Sequence, residues 1–171
     1  MKSVLITIAA CFFTTFVFAQ QDKAGRPSPP ATTKAALAGG KVVSIDYSQP
    51  SVKGRTIGRD LEPINGKVWR TGANEATVFE VNKDVKIEGK KLRAGKYGLF
   101  TIAGEREWII IFNKTWNQWG AFNYKEGDDV LRIKVRPAKA KTFSEKMTFT
   151  IGDNGKVSLM WGDRQVDFNV E

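Results

Sequence analysis

Between Lys41 and Val170, run after run of the chain alternates apolar and polar residues with a period of two. Val43, Ile45 and Tyr47 alternate with Ser44 and Asp46, and Leu131, Ile133 and Val135 alternate with Arg132, Lys134 and Arg136. Met147, Phe149 and Ile151 are separated by Thr148 and Thr150 in the same way. Successive side chains of a strand point to opposite faces, so each run offers one face to a core and the other to water. Beyond the first nineteen residues, no stretch of ten or more keeps apolar residues at the spacing of a helix face. Turn residues punctuate the alternation: Gly39-Gly40, Asn82-Lys83-Asp84, Glu88-Gly89, Gly104, Asp153-Asn154-Gly155 and Gly162-Asp163. Gly, Pro or Asn interrupts the chain at intervals of about 8–12 residues, the spacing of a sandwich or barrel. The expectation is an all-β, mainly antiparallel two-sheet β-sandwich, jelly-roll-like, of about nine to eleven strands, with little or no helix.

The exception to the alternation is the N-terminus. Lys2 precedes an apolar stretch from Val4 to Phe18, and Val17-Phe18-Ala19 ends it with small residues where a signal peptidase reads. Residues 1–19 are therefore expected to be a secretory signal, cleaved after Ala19. A membrane anchor would need about 20 apolar residues and flanking charges, so the mature chain is not expected to span a membrane. Ile8-Ala9-Ala10-Cys11 resembles a lipid-attachment motif, but its use would leave only Val4–Ile8 as the apolar region, short of the roughly 7–15 residues required. Residues 20–27 read as a flexible lead, and residues 28–171 as a single domain of about 150 residues, enough to bury about two-thirds of its unfolded surface.

What the chain lacks narrows its chemistry. It has no histidine, and its single cysteine lies in the signal. Disulfides, Ser-His-Asp and Cys-His catalysis and His- or Cys-ligated metals are excluded, and no cofactor is implied. Glu126-Gly127-Asp128-Asp129 lacks the alternating ligands of a calcium loop, so no metal site is expected. The net charge is +9. The basic residues are mostly spread along strands, as solvated faces are, or as a face meeting an anionic envelope component is. No nucleic-acid motif is present.

Two segments concentrate polar and aromatic residues. In "VWRTGANEAT" (68–77), Trp69 ends a short strand and small residues form a tight loop. Arg70 and Glu75 fall near each other there, with two possible roles. They could close the loop as an ion pair while Asn74 bonds its own backbone. Alternatively Arg70 is a clamp, Asn74 an orienting donor and Glu75 an acceptor or base at a cleft. In "FNKTWNQWGAFNY" (112–124), Trp116, Trp119, Phe122 and Tyr124 stand among Asn113, Asn117, Gln118 and Asn123. Aromatic faces beside amides suit a sugar or another small polar ligand, although some of these aromatics must pack on the sheet. Tyr97 joins the candidates from "RAGKYGLFTI", where Gly98 marks either a bulge or a close approach by another segment.

The stretches "SPP" (28–30), "IDYSQPSVKGRTI" (45–57), "GKVWRTGANEAT" (66–77), "AGKYGLFTI" (94–102), "WIIIFN" (108–113), "NQWGAFNY" (117–124) and "DVLRIKV" (129–135) together resemble the family known as domain of unknown function 2911. The likeness is strong from Ser28 to Val135 and looser to Glu171. It implies an exported protein of Gram-negative bacteria of the Bacteroidetes type, in the periplasm or outside the cell, and it assigns no activity or cofactor.

Function is then expected from the side chains. The first expectation is non-catalytic binding of a carbohydrate or other small polar ligand by Trp69, Arg70, Asn74, Glu75, Tyr97, Asn113, Trp116, Asn117, Trp119 and Tyr124. The second is a histidine-free hydrolase or lyase with Glu75 as the catalytic candidate, helped by Arg70, Lys96 or Tyr97. A glycosidase would need a second carboxylate at a fixed separation, from Asp46, Asp60, Glu62, Asp128 or Asp129. The third is an envelope structural or partner-docking protein.

Overall fold

The computed structural model describes residues 25–171. The expected signal and the lead as far as residue 24 lie outside the described residues. Eleven strands follow: β1 (Pro30–Leu37), β2 (Lys41–Ser48), β3 (Val68–Trp69), β4 (Thr77–Val81), β5 (Val85–Ile87), β6 (Lys90–Leu92), β7 (Gly95–Ile102), β8 (Trp108–Asn113), β9 (Asp129–Val135), β10 (Pro137–Ile151) and β11 (Lys156–Asn169). No helix among the described residues is long and apolar enough to cross a membrane.

The large sheet has the order β1-β2-β4-β7-β8-β9, all antiparallel, with β3 also paired to β7. Its strands enter nearly in chain order, as in a meander, where a jelly roll would deal successive strands alternately to two sheets. The β1–β2 turn forms where expected, at Ala38–Gly40 with Gly39 and Gly40 at φ 74° and 69°. At the β5–β6 turn Glu88 and Gly89 both take positive φ, 48° and 76°, as a two-residue hairpin loop requires.

The second layer is built around the β10–β11 hairpin. Residues 50–52 run along β10, with Val52 N–H to Glu145 O and Met147 N–H to Pro50 O both at 2.9 Å. On the other side, Val170 bridges Ile87, and the main chains of Lys86 and Glu171 bond each other at 2.9 and 2.8 Å. This ties the β5–β6 hairpin to the end of the chain.

One expected turn does not form in the second layer. Gly162-Asp163 is not a turn: β11 runs unbroken from Lys156 to Asn169, and Gly162, at φ 61°, pairs with Ser144 between two register shifts. The glycine bends one long strand instead of ending it, as a bulge does.

The core lies between the layers. Phe79 and Phe112 of the large sheet meet edge to face at 5.0 Å, and Phe168 of β11 packs on both, at 6.4 and 6.0 Å. Tyr47 meets Phe149 at 5.0 Å, and the indoles of Trp69 and Trp161 stack across the layers at 5.8 Å and 16°. Burying each such ring contributes roughly 1.5–3 kcal/mol. The opposite face of the large sheet carries a smaller apolar patch, with Ala76, Phe100 and Ile111 buried beneath Ala121 and Tyr124. The 114–125 loop therefore folds over the outside of the sheet, because Phe100 and Ile111 need cover.

Candidate functional site

β3 and β4 lie end to end beside β7, with Trp69 opposite Thr101 and Thr77 opposite Leu99. Residues 70–76 are thus an excursion from one continuous line of pairing, closed at its base by Thr77 N–H to Arg70 O at 3.2 Å. Thr71 and Asn74 take positive φ, 54° and 59°, to make the reversal. Gly72 is required by contact: a Cβ there would come within 2.9 Å of Thr77 Oγ1 and 3.2 Å of Ser48 O. Inside the loop Trp69 Nε1 donates to Gly72 O at 3.0 Å, and the buried Thr77 hydroxyl donates to Thr71 O at 2.8 Å.

The second segment joins this excursion by backbone pairing. Glu75 bridges Trp119, with Ala76 N–H to Gln118 O and Gly120 N–H to Asn74 O both at 3.0 Å. Two stretches more than forty residues apart in the sequence thereby form one surface on the outside of the large sheet. Its hollow, about 280 Å³, is lined by Glu75, Trp116, Asn117 and Gln118, and by Thr32 and Asp46 of the β1–β2 hairpin. Thr32 Oγ1 donates to Asp46 at 2.5 Å, which orients the carboxylate.

Arg26 closes one side. Its Nη1 lies 3.0 Å from both oxygens of Glu75, and its guanidinium sits 5.9 Å from the centre of the Trp119 ring. Asn74 Nδ2 donates to Ser28 O at 3.0 Å, so the segment before β1 is strapped over the loop. On the far side Lys96 Nζ stands 5.5 Å from the Trp116 ring while pairing with Glu80 at 3.3 Å. Each tryptophan carries a cation on its face, a contact contributing about 0.5–1 kcal/mol where exposed.

The remaining candidates are dispersed. Trp69 is buried in the core, and Tyr97 faces the interior with its hydroxyl on Arg93 O at 2.9 Å. Asn113 is fully buried as loop scaffolding, donating to Lys125 O at 2.9 Å and to Asp129 at 2.7 Å while accepting Thr115 N–H at 2.8 Å. Tyr124 lies on Phe100 at 5.1 Å, and its hydroxyl bonds Asp129 and Arg132, both at 2.8 Å. Burial, with the Asp129 bond second, pushes the Tyr124 phenol up to about 12. The expected Arg70–Glu75 ion pair does not form. Arg70 Nε is buried with no partner among the described residues, and burial lowers the guanidinium pKa, with Glu62 opposing.

The Glu126–Asp129 stretch is committed elsewhere. Asp129 and Glu126 both pair with Arg132, at 2.7 and 3.0 Å, and Asp128 accepts the Thr115 hydroxyl at 3.1 Å. No group of three or more carboxylates gathers as a metal site among the described residues.

The sequence reading missed Arg26. The signal available was its place before Pro27, Pro29 and Pro30, which restrict the backbone enough for a short lead to be laid across a neighbour.

The fold and this surface define a class: an antiparallel two-layer β-sandwich with a small polar-aromatic hollow on one outer face. The chain belongs to the family described as protein of unknown function (DUF2911), whose model matches residues 28–170. No curated protein and no solved structure matches it significantly.

Proposed function

We propose that the protein binds a small polar ligand, a carbohydrate by preference, in the hollow between the 70–76 excursion and the 115–118 turn, without transforming it. One observation carries the reading: Trp116 and Asn117, Glu75, and Thr32 with Asp46 come from three separate segments and line a single hollow. Trp116, 37% exposed, supplies an apolar platform, and the exposed Asn117 and Asp46 supply directional hydrogen bonds around it. Arg26 and Asn74 are positioning residues that fix Glu75 and the strap. Export to the periplasm or beyond, the cleaved signal and a bacterial envelope setting belong to the same proposal.

A second reading has one observation in its favour: Glu75 and Asp46 share the hollow, and paired carboxylates are what glycoside hydrolysis uses. Against it, the Glu75 oxygens are engaged by Arg26, and Lys96 is held by Glu80, so neither reaches a substrate without first giving up a partner.

A glycan array followed by calorimetry on the best hit separates these readings. Trp116→Ala is expected to weaken retention about tenfold or more, and Trp119→Ala to weaken it less. Glu75→Gln is expected to leave most of the affinity intact. Turnover of the hit that Glu75→Gln abolishes would favour the hydrolase, and no retention of any glycan by the unaltered protein would remove the carbohydrate.

A further inference from the structure

A second hollow lies away from the candidate site, at the end of the sandwich where the β5–β6 hairpin faces the starts of β2 and β7. It measures about 820 Å³, a size that admits a small organic molecule. Four cations line it: Lys41 at the start of β2, and, from the β5–β6 hairpin and the residues just after it, Lys86, Lys91 and Arg93. Lys86 and Lys91 stand directly opposite each other in the hairpin register. Like charges so placed destabilise a strand pair, and the hairpin carries them where a lysine and a glutamate would serve it better.

None of the four side chains makes an ion pair or hydrogen bond among the described residues. The neighbouring Lys90, in contrast, is engaged on Arg132 O at 3.3 Å. Two acidic residues share the hollow. Asp84 accepts the Ala94 N–H at 2.9 Å and Glu171 pairs by its main chain with Lys86, and against four cations their two negative side chains leave the lining net positive. Tyr97 and Val130 add apolar wall beneath the charges. Cations gathered in a concavity with such walls focus a positive potential into it.

We propose that this cleft binds a small molecule carrying two or more phosphate or carboxylate groups, with Lys86, Lys91, Lys41 and Arg93 as its anion contacts. The site is separate from the hollow at Glu75 and does not depend on what that hollow binds.

The test is calorimetric titration of the protein with tripolyphosphate and with citrate, beside co-sedimentation with phosphatidylglycerol vesicles. The Lys86→Gln/Lys91→Gln variant is compared with Lys139→Gln/Lys141→Gln, an equal charge change on the exposed part of β10. Saturable tripolyphosphate or citrate binding, weakened about tenfold or more by the first variant and less than about twofold by the second, supports the proposal with a soluble ligand. Vesicle binding alone with the same dependence would show a face that meets anionic membranes in place of a small-molecule site, and overturns it. Relieving the Lys86–Lys91 repulsion leaves the fold at least as stable, checked by thermal melting, and Arg93→Gln gives an independent loss. Equal loss in both double variants, or no saturable binding by the unaltered protein, overturns it.

Discussion

Gly155 shows how little freedom single positions have in this fold. It sits at φ 80° in the β10–β11 turn, donating to Gly152 O at 2.8 Å and accepting Val170 N–H at 2.9 Å, and a Cβ built on it would overlap the Val170 carbonyl. Gly155→Ala is expected to cost roughly 2 kcal/mol or more, read as a lower urea midpoint with unchanged slope. Gly98 answers the question its place in a strand raised. A Cβ there would come within 2.6 Å of the Phe100 ring and 3.1 Å of Thr115 O, so the glycine admits the loop that caps the outer patch. Arg70 is the reverse case, a guanidinium whose buried Nε has no hydrogen-bond partner among the described residues. Arg70→Met is expected to leave stability unchanged or raise it, because replacing an uncompensated polar group by an apolar one removes a desolvation cost. A fall of more than about 1 kcal/mol on denaturant titration would contradict that account.

At the scale of elements, the loop from Lys114 to Lys125 is held by its own amides and by β9. Gln118 Nε2 donates to Thr115 O at 2.6 Å and its Oε1 accepts Asn123 N–H at 3.1 Å, while Tyr124, Asp129 and Arg132 form a closed network. Because the folded state holds the Tyr124 proton more tightly than the ordinary phenol near 10, that stabilisation is complete below about pH 10 and is lost as pH rises through about 12. Tyr124→Phe should remove this part of the alkaline loss, so the gap in urea midpoint between the two proteins narrows from pH 9 to pH 11.5. The amides also show where sequence reasoning stopped. Asn113, Asn117 and Gln118 look alike as residue types, yet only Asn117 is exposed at the hollow, because which amide serves backbone and which faces solvent depends on contacts the local sequence does not contain. The strands were legible wherever one face met the core. β10 was found only from Met147 onward, because from Pro137 to Lys146 it lies mostly in water, with Ala140 buried and Phe143 60% exposed.

Across the whole molecule, the two-layer architecture followed from the period-two pattern, because sheets with one apolar face each must meet. The meeting of the two polar-aromatic segments did not: it depends on β3 and β4 being collinear beside β7, which no residue in 68–77 announces. The chain end provides a test at this scale. Asn169, Val170 and Glu171 supply the pairing that attaches the β5–β6 hairpin, including Glu88 N–H to Asn169 O at 3.1 Å. Removing residues 169–171 is expected to raise amide exchange at Lys86 and Glu88 by about tenfold or more while β2, β4, β7 and β8 keep their protection, as measured by hydrogen–deuterium exchange. Equal loss everywhere would show that the hairpin is not a separable unit.

The parallel indoles of Trp69 and Trp161 give the sandwich an optical signature of its own. Indoles fixed that close in an asymmetric core give near-ultraviolet circular dichroism, so the pair should contribute a band there that depends on its packing. One ring belongs to each layer. The band would vanish once the sheets part, even while each keeps its strands, and would report the opening of the sandwich separately from the unravelling of its parts.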